Sequence, residues 1–450
     1  MHGQRHHCSN VGACVRQRYP NCTCCSQTDM NELTSAIDAL HGSFDGAGPW
    51  AHTGKASSHV AFFDEIRLRA RRSEQWHSVA AGLVVLRLVD AVAAGESVHQ
   101  WGWSGAQRLV KQAHFERKER ATLARLLEMT TRVRGRNISP CLPSLLRYAR
   151  VLELDSALRL AVDVYDTVLR LSRAASHDTI VHCHLRLGFC YGALSAFDEA
   201  DRAYALARAI ALSCGDRIGA LEAEVGIGET ALMRGNIPLG EEIVMSVLRR
   251  ARGRKSNSLR ARALHVSAAI AALRGDFSLA IQRSIASLRL TRSLRKRNRT
   301  LGNLAAYYLD LGYHDRAELL YGSLASNRDR SVRWLARLNL LQIASTVGER
   351  SAFERHARIL ARDTLTPEAT VAYHIQMGEG FARFHDRRSA RSHLSKARAL
   401  AVEHGLHRYA FLAEAALQSL DNPRVMHHGR RPPAHTPAPR QPGLLSRSTR

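Results

Sequence analysis

The chain has 450 residues and a net charge of +25, from 65 basic and 40 acidic side chains. Leu, Ala and Arg dominate, aromatic residues make up 6%, and β-branched runs are short, a composition that favours helix over sheet. No charged-then-apolar leader opens the chain, and the apolar stretch 79–86 ends at Arg87, too short to span a bilayer, so a cytoplasmic protein without membrane segments is expected.

Residues 1–58 read as a disordered or loosely ordered leader. His2, His6, His7, Cys8, Cys14, Cys22, Cys24 and Cys25 crowd the first 29 residues without helical period. Thiolates and imidazoles are zinc ligands, but no closely spaced pair here is matched by a second one. An unstructured leader, or codons upstream of a true start at Met30, is the simpler reading, and neither metal nor cofactor is expected.

A helical region is expected over 59–140. Its period begins near His59 and Val60, runs through Phe63, Ile66 and Leu68, and continues at Trp76, Val79, Leu83, Leu86 and Val89. After a break at Ala94-Gly95, a helix is predicted beyond Trp101-Gly102-Trp103, and another carries Leu123, Leu126, Leu127 and Met129. The two tryptophans suit an end cap better than a base-stacking platform. No repeat register emerges here.

From 141 to 420 the pattern becomes periodic. The segment 142–171 reads as a degenerate helical hairpin, with Ala157 and Ala161 on its second helix. Six copies of one unit then follow. The clearest has Leu187-Gly188, Tyr191, Ala200, Tyr204 and Ala207, and the next has Gly228, Ala231, Gly240, Val244 and Val247. Later copies carry Ala268, Ala271, Ala280 and Ser284; Ala305, Tyr308, Ala317 and Tyr321; Leu341, Ala344 and Ala357; and Gly378, Phe381, Ala390 and Leu394. Counted from Gly188, the copies step by 40, 40, 37, 36 and 37 residues. A small residue at the Gly188 position lets the first helix (A) approach the second (B), and turns are expected near Gly235, Gly275, Gly312 and Gly348. One hairpin cannot bury both faces, so neighbours must stack into an all-α solenoid.

These residues resemble the tetratricopeptide repeat family, whose standard unit is about 34 residues. The longer steps are similar to extended-repeat relatives: kinesin light chain arms, bacterial peptide-pheromone receptors and sensor arms of bacterial regulators. The first-helix Trp and the Pro after helix B, usual in the family, are absent. The resemblance implies a concave groove lined by helix A, to which His182, Glu222, Glu229, Arg262, His265, Arg299, Asn303, Asp310, Asn339, Gln342, Glu379 and Arg383 carry over. The stretch from Thr300 to Tyr308 is similar to a kinesin light chain repeat whose Asn grips peptide backbone, which implies that role for Asn303 and Asn339. An amide offers both the donor and the acceptor that an extended peptide needs.

Basic residues concentrate at Arg249, Arg250, Arg252, Arg254 and Lys255, and at Arg295, Lys296 and Arg297, along one expected edge of the stack. Such an edge attracts phosphates or acidic partners. Catalytic patterns are thin: no phosphate loop, zinc helix or nucleophile elbow occurs, and Gly226-Ile227-Gly228 falls inside a helix where its glycines serve packing. His182 and His184 diverge by about 200° on a helix and cannot share one ion. The expected function is therefore a non-catalytic scaffold or sensor arm that binds a protein or peptide segment in its groove. The alternative is a basic solenoid that docks on nucleic acid or an acidic complex. Residues 421–450, rich in Pro, Arg and His, are expected to be a disordered tail.

Overall fold

The computed structural model describes residues 59–421 apart from 69–73, 97, 99, 114–116, 173–175, 254–255, 328–329, 363–366 and 405. The expected leader over 1–58, the tail over 422–450, Arg254 and Lys255 lie outside the described residues. Helices fill the described part, and no β-strand occurs among the described residues. Four helices lead in: α1 (Val60–Leu68), α2 (Glu74–Ala94), α3 (Gln100–Gln112) and α4 (Arg117–Thr131). The third begins at Gln100 and so takes in the Trp101-Gly102-Trp103 segment that sequence placed ahead of it.

Seven antiparallel hairpins follow. They are α5/α6 (Leu142–Leu154, Leu158–Leu171), α7/α8 (His177–Ala193, Phe197–Ser213), α9/α10 (Arg217–Met233, Ile237–Arg250) and α11/α12 (Asn257–Leu273, Phe277–Leu290). The remainder are α13/α14 (Leu294–Asp310, His314–Leu324), α15/α16 (Arg330–Val347, Arg350–Leu360) and α17/α18 (Pro367–Arg383, Arg387–Glu403). A last helix, α19 (His407–Asp421), closes the array against α18 and α17.

One backbone device makes all seven inner turns. Ser156, Ser195, Gly235, Gly275, Gly312, Gly348 and His385 each take a positive φ, between 61° and 87°. The N–H of the following residue then returns to a carbonyl near the end of helix A, as in Asn236 N–H to Ala231 O and Asp386 N–H to Phe381 O, both 2.9 Å. This left-handed termination satisfies carbonyls that the helix end would otherwise orphan. The next residue often caps helix B: Asn236, Asp276 and Asp386 accept from the amides of Leu239, Leu279 and Ser389 at 2.9–3.2 Å. Release of one helix and start of the next thus occupy two adjacent residues.

Packing within a hairpin follows the expected small residue. A Cβ added at Gly188 would lie 2.7 Å from the Tyr204 ring, and one at Gly228 would lie 2.9 Å from Val244. Gly378 meets Leu394 in the same way. Sixteen residues separate each pair. The first hairpin repeats the pairing with Ala149 and Tyr165, both fully buried, and Ala161 takes the Ala200 place while Ala157 falls in the turn. In the weak fifth copy the sizes invert, with Leu341 on helix A and Ala357 on helix B. Phe353 there fills the place of a small residue, and Gly380 of the next hairpin supplies its room. Volume is conserved although the motif is not.

The lead-in helices extend this core. Residues 76–94 form a stretch long and apolar enough to cross a membrane by length and composition. In the fold α2 is a core helix instead: Val85, Leu86 and Val89 are fully buried among neighbouring helices, and it carries Arg87 and Asp90. The helix α1 packs on both α2 and α6. His59 ties the three together, its buried ring bonded to Asp163 at 2.7 Å and Asp90 at 3.1 Å.

Candidate functional site

Helix A of one hairpin packs on helix A of the next through α7–α9–α11 and α13–α15–α17, so these helices form the inner wall of the coil. A cavity of about 370 Å³ opens on that wall. Five successive A helices supply most of its charged lining: Arg150 and Glu153 of α5, Arg186 of α7, Glu222 and Glu229 of α9, Arg262 and His265 of α11, and Arg295, Lys296 and Arg299 of α13, while Tyr204 and Ser287 of B helices complete the wall. Arg408 of α19 reaches the same space. Residues more than a hundred apart in sequence thus meet because the array coils.

Seven cationic side chains share this lining with three carboxylates, two of which, Glu153 and Glu229, are held in ion pairs. Glu153, with 3% of its side chain exposed, pairs with Arg150 and Arg186 and accepts from the Tyr165 hydroxyl at 3.2 Å. Burial alone would raise its pKa, yet the two guanidinium groups hold it below the usual carboxylate range. Glu229 pairs with Arg262 at 2.6 Å, while Arg262 also donates to the Glu222 carbonyl at 3.3 Å. These bonds clamp α11 to α9.

Arg299 and Lys296 are less well served. Among the described residues the buried Arg299 Nε has no hydrogen-bond acceptor, and Lys296 donates to the Ser258 hydroxyl at 3.0 Å. Burial, with Arg150 and Arg186 close by, brings the Arg295 pKa down to about 10 despite Glu153. Burial and the charges of Arg299 and Arg262 push the His265 imidazole well below its usual range, leaving it neutral. Neutral His265 can accept on one nitrogen and donate from the other, which suits its contacts with Thr300 Oγ1 at 3.2 Å and the Asn303 amide at 3.4 Å.

Of the residues named from sequence, Glu229, Arg262, His265 and Arg299 line the cavity, and so do Glu222, Arg295 and Lys296. Asn303 is only 9% exposed and lies behind His265, with its Oδ1 buried and unmatched. Asn339 is half-buried and its Nδ2 donates to Leu335 O of its own helix at 2.8 Å. Asp310, Gln342, Glu379 and Arg383 stand on α13, α15 and α17 away from this lining, with Arg383 bonded to Ser345 Oγ at 3.0 Å. Arg249, Arg250 and Arg252, of the basic edge expected from sequence, border a second recess together with Arg217. Arg250 is paired there with Glu224, and Arg297 donates to the Leu288 carbonyl at 3.4 Å.

Sequence reasoning passed over Arg150, Glu153, Arg186 and Arg408. A signal existed for one of them: Arg186 stands two residues before Gly188, the place that Asn303 and Asn339 hold in their own repeats. Cys183 and Cys190 are buried between hairpins; burial, helped by Asp166, pushes the Cys183 thiol up to about 12. Neither is poised as a nucleophile.

No protein-family model and no curated protein matches the chain. Solved structures of similar fold do. The apo form of the quorum sensor NprR from B. thuringiensis has 14% identity over 71% of this chain and 98% of its own, with a TM-score of 0.45. A Rap protein complexed with competence and sporulation factor has 13% identity over 74% of this chain and 99% of its own, with a TM-score of 0.46. A tetratricopeptide repeat protein from Parabacteroides merdae has 13% identity over 62% of this chain and 99% of its own, with a TM-score of 0.41.

Proposed function

We propose that the chain is a non-catalytic binding array that holds an extended, acid-rich segment of a partner protein along its concave wall. The observation that carries this reading is the inner cavity, whose seven cations outnumber its three carboxylates. Such a surplus raises the local concentration of anionic segments and speeds their capture. The A helices present side chains at successive steps of the array, which suits an elongated ligand more than a compact one.

Panning a display library of random peptides on the full chain tests this. Enriched peptides should be rich in Asp and Glu and should lose most of their affinity for an Arg262→Gln variant. They should bind Arg202→Gln, an exposed position on α8, as they bind the parent. Peptides that ignore the Arg262 change would contradict the groove reading.

A second reading rests on a separate observation, the recess bordered by Arg217, Arg249, Arg250 and Arg252. On that reading the outer edge docks on nucleic acid. It requires duplex retention that falls steeply with salt and disappears when Arg249 and Arg252 become Gln. The pairing of Arg250 with Glu224 weakens this edge relative to the cavity.

A further inference from the structure

We infer that the α7 end of the cavity is an apolar anchor pocket, which seats one large apolar side chain of the bound segment next to its acidic residues. The inference rests on the concave wall being the binding face, and it names the residue class that gives that wall its specificity.

The pocket is built near the inner turns of the first three hairpins. Leu158 of α6, Phe189, Gly192 and Ala193 of α7, Phe197 of α8 and Met233 of α9 line this part of the cavity. Phe189, Ala193, Phe197 and Met233 are each left partly exposed. Open apolar surface inside a concave site, with a few polar groups beside it to fix orientation, is what ligand pockets share. Arg186, which lies over the Phe189 ring at 4.6 Å from its centroid, joins the apolar patch to the cationic wall of the same cavity.

Two residue choices set this end apart from the rest of the array. Phe189 directly follows Gly188, and the residues at that place in the later copies are Glu229, Ala269, Ala306, Gln342 and Glu379. A large ring thus stands partly open to the groove where its counterparts are polar or small.

The second choice is Gly192, whose counterparts Leu232, Ala272, Leu309, Ser345 and Ala382 all carry a side chain. A Cβ added at Gly192 would lie 3.6 Å from Met233 Cε and 4.0 Å from Ala200 Cβ, ordinary contact distances, and the residue lies in regular helix. Neither packing nor backbone geometry demands glycine here, although glycine weakens a helix relative to alanine. Room for a guest side chain supplies the reason. Met233 flanks that room, and its unbranched thioether adapts to the shape of what enters. The occupant that fits this lining is a Leu, Met or Phe side chain on a segment whose acidic residues meet the neighbouring cations.

A double-mutant cycle with an acid-rich peptide panned on the full chain tests the pocket. Aligned peptides should share one Leu, Met or Phe close to their acids, and its change to Ala should weaken binding by about tenfold or more. Gly192→Leu, which copies Leu232 and Leu309, should fold, as judged by its helical circular dichroism, and should weaken the parent peptide to a similar extent. The Ala-substituted peptide should bind this variant and the parent chain alike, because the guest that the new side chain displaces is already gone. Phe189→Gln, which copies Gln342, should show the same coupling and replaces the Leu variant if that chain does not fold.

Panned peptides without a shared apolar residue, an Ala-substituted peptide that binds like its parent, or equal loss of both peptides on the filled pocket each overturns the inference. If the peptides remain acidic and dependent on Arg262 in that event, the groove reading stands and only the anchor pocket falls. Peptides that ignore Arg262 strike the groove reading itself, and the anchor with it.

Discussion

Buried charged residues carry most of the chemistry that a point change can probe. His59 has no exposed side-chain surface and both ring nitrogens engaged, with Arg170 also bonded to Asp90 at 2.9 Å and Arg87 nearby. Burial disfavours the imidazolium, but the hydrogen bonds and charges of Asp163 and Asp90 raise its pKa above 6.5. Burial also works against the Asp90 charge, yet His59 and Arg170 hold its pKa below 3.8. A raised His pKa contributes stability that is complete below the unfolded value and is lost as pH rises through the folded one. A lowered Asp pKa contributes stability that is lost as pH falls. The latch should therefore be strongest between roughly pH 4 and 6.5. The melting-temperature gap between the parent and His59→Gln should shrink from pH 6 to pH 9; a constant gap would refute the latch.

At the same scale, Glu153→Gln should cost about 3–5 kcal/mol, because it strands two guanidinium groups in a half-closed cavity. Denaturant melts of this variant measure that loss. Asn303→Ala is a milder change. Whichever way the amide is turned, only one of its atoms can meet His265, so the variant should lose about 0.5–1.5 kcal/mol. A ligand affinity that falls with it would give this amide a role beyond bracing α13 on α11.

At the scale of the element, the hairpin turn sets the array. Gly275 has φ +82° with open space around its Cα, so Gly275→Ala costs backbone strain alone, about 1–2 kcal/mol. Gly322 lies inside α14, also with open space, and Gly322→Ala should stabilise by up to about 1 kcal/mol. Thermal melts should move in opposite directions for these two changes of identical chemistry. The glycine turns were legible in sequence because glycine marks the left-handed position. Ser156, Ser195 and His385 hold that position without the marker, so those turns could be read only by counting from their neighbours. The fifth copy was faint for a different reason: Phe353 and Gly380 exchange bulk between hairpins, and a motif defined within one repeat does not register compensation across two.

For the molecule as a whole, the same limit governs the site. Arg262, Arg299 and His265 were legible because each lies on helix A of a clear repeat. Arg150 and Glu153 were not, since they join the cavity only once the coil brings α5 beside α13. A solenoid's local periods predict its wall, while its curvature decides which parts of that wall face one another. The lead-in helices were legible as helices but not as partners, because the His59, Asp90 and Asp163 contacts span 31 and 104 residues.

The central claim is that ligand is held on the concave wall and not on the outer edge. Hydrogen–deuterium exchange of the full chain, with and without a panned acid-rich peptide, tests it most directly. Peptide should protect amides at the start of α13, around 294–300, and along the cavity segments of α7 and α11, while 249–252 exchange unchanged. Protection confined to 249–252, or spread evenly over the outer helices, would contradict the account.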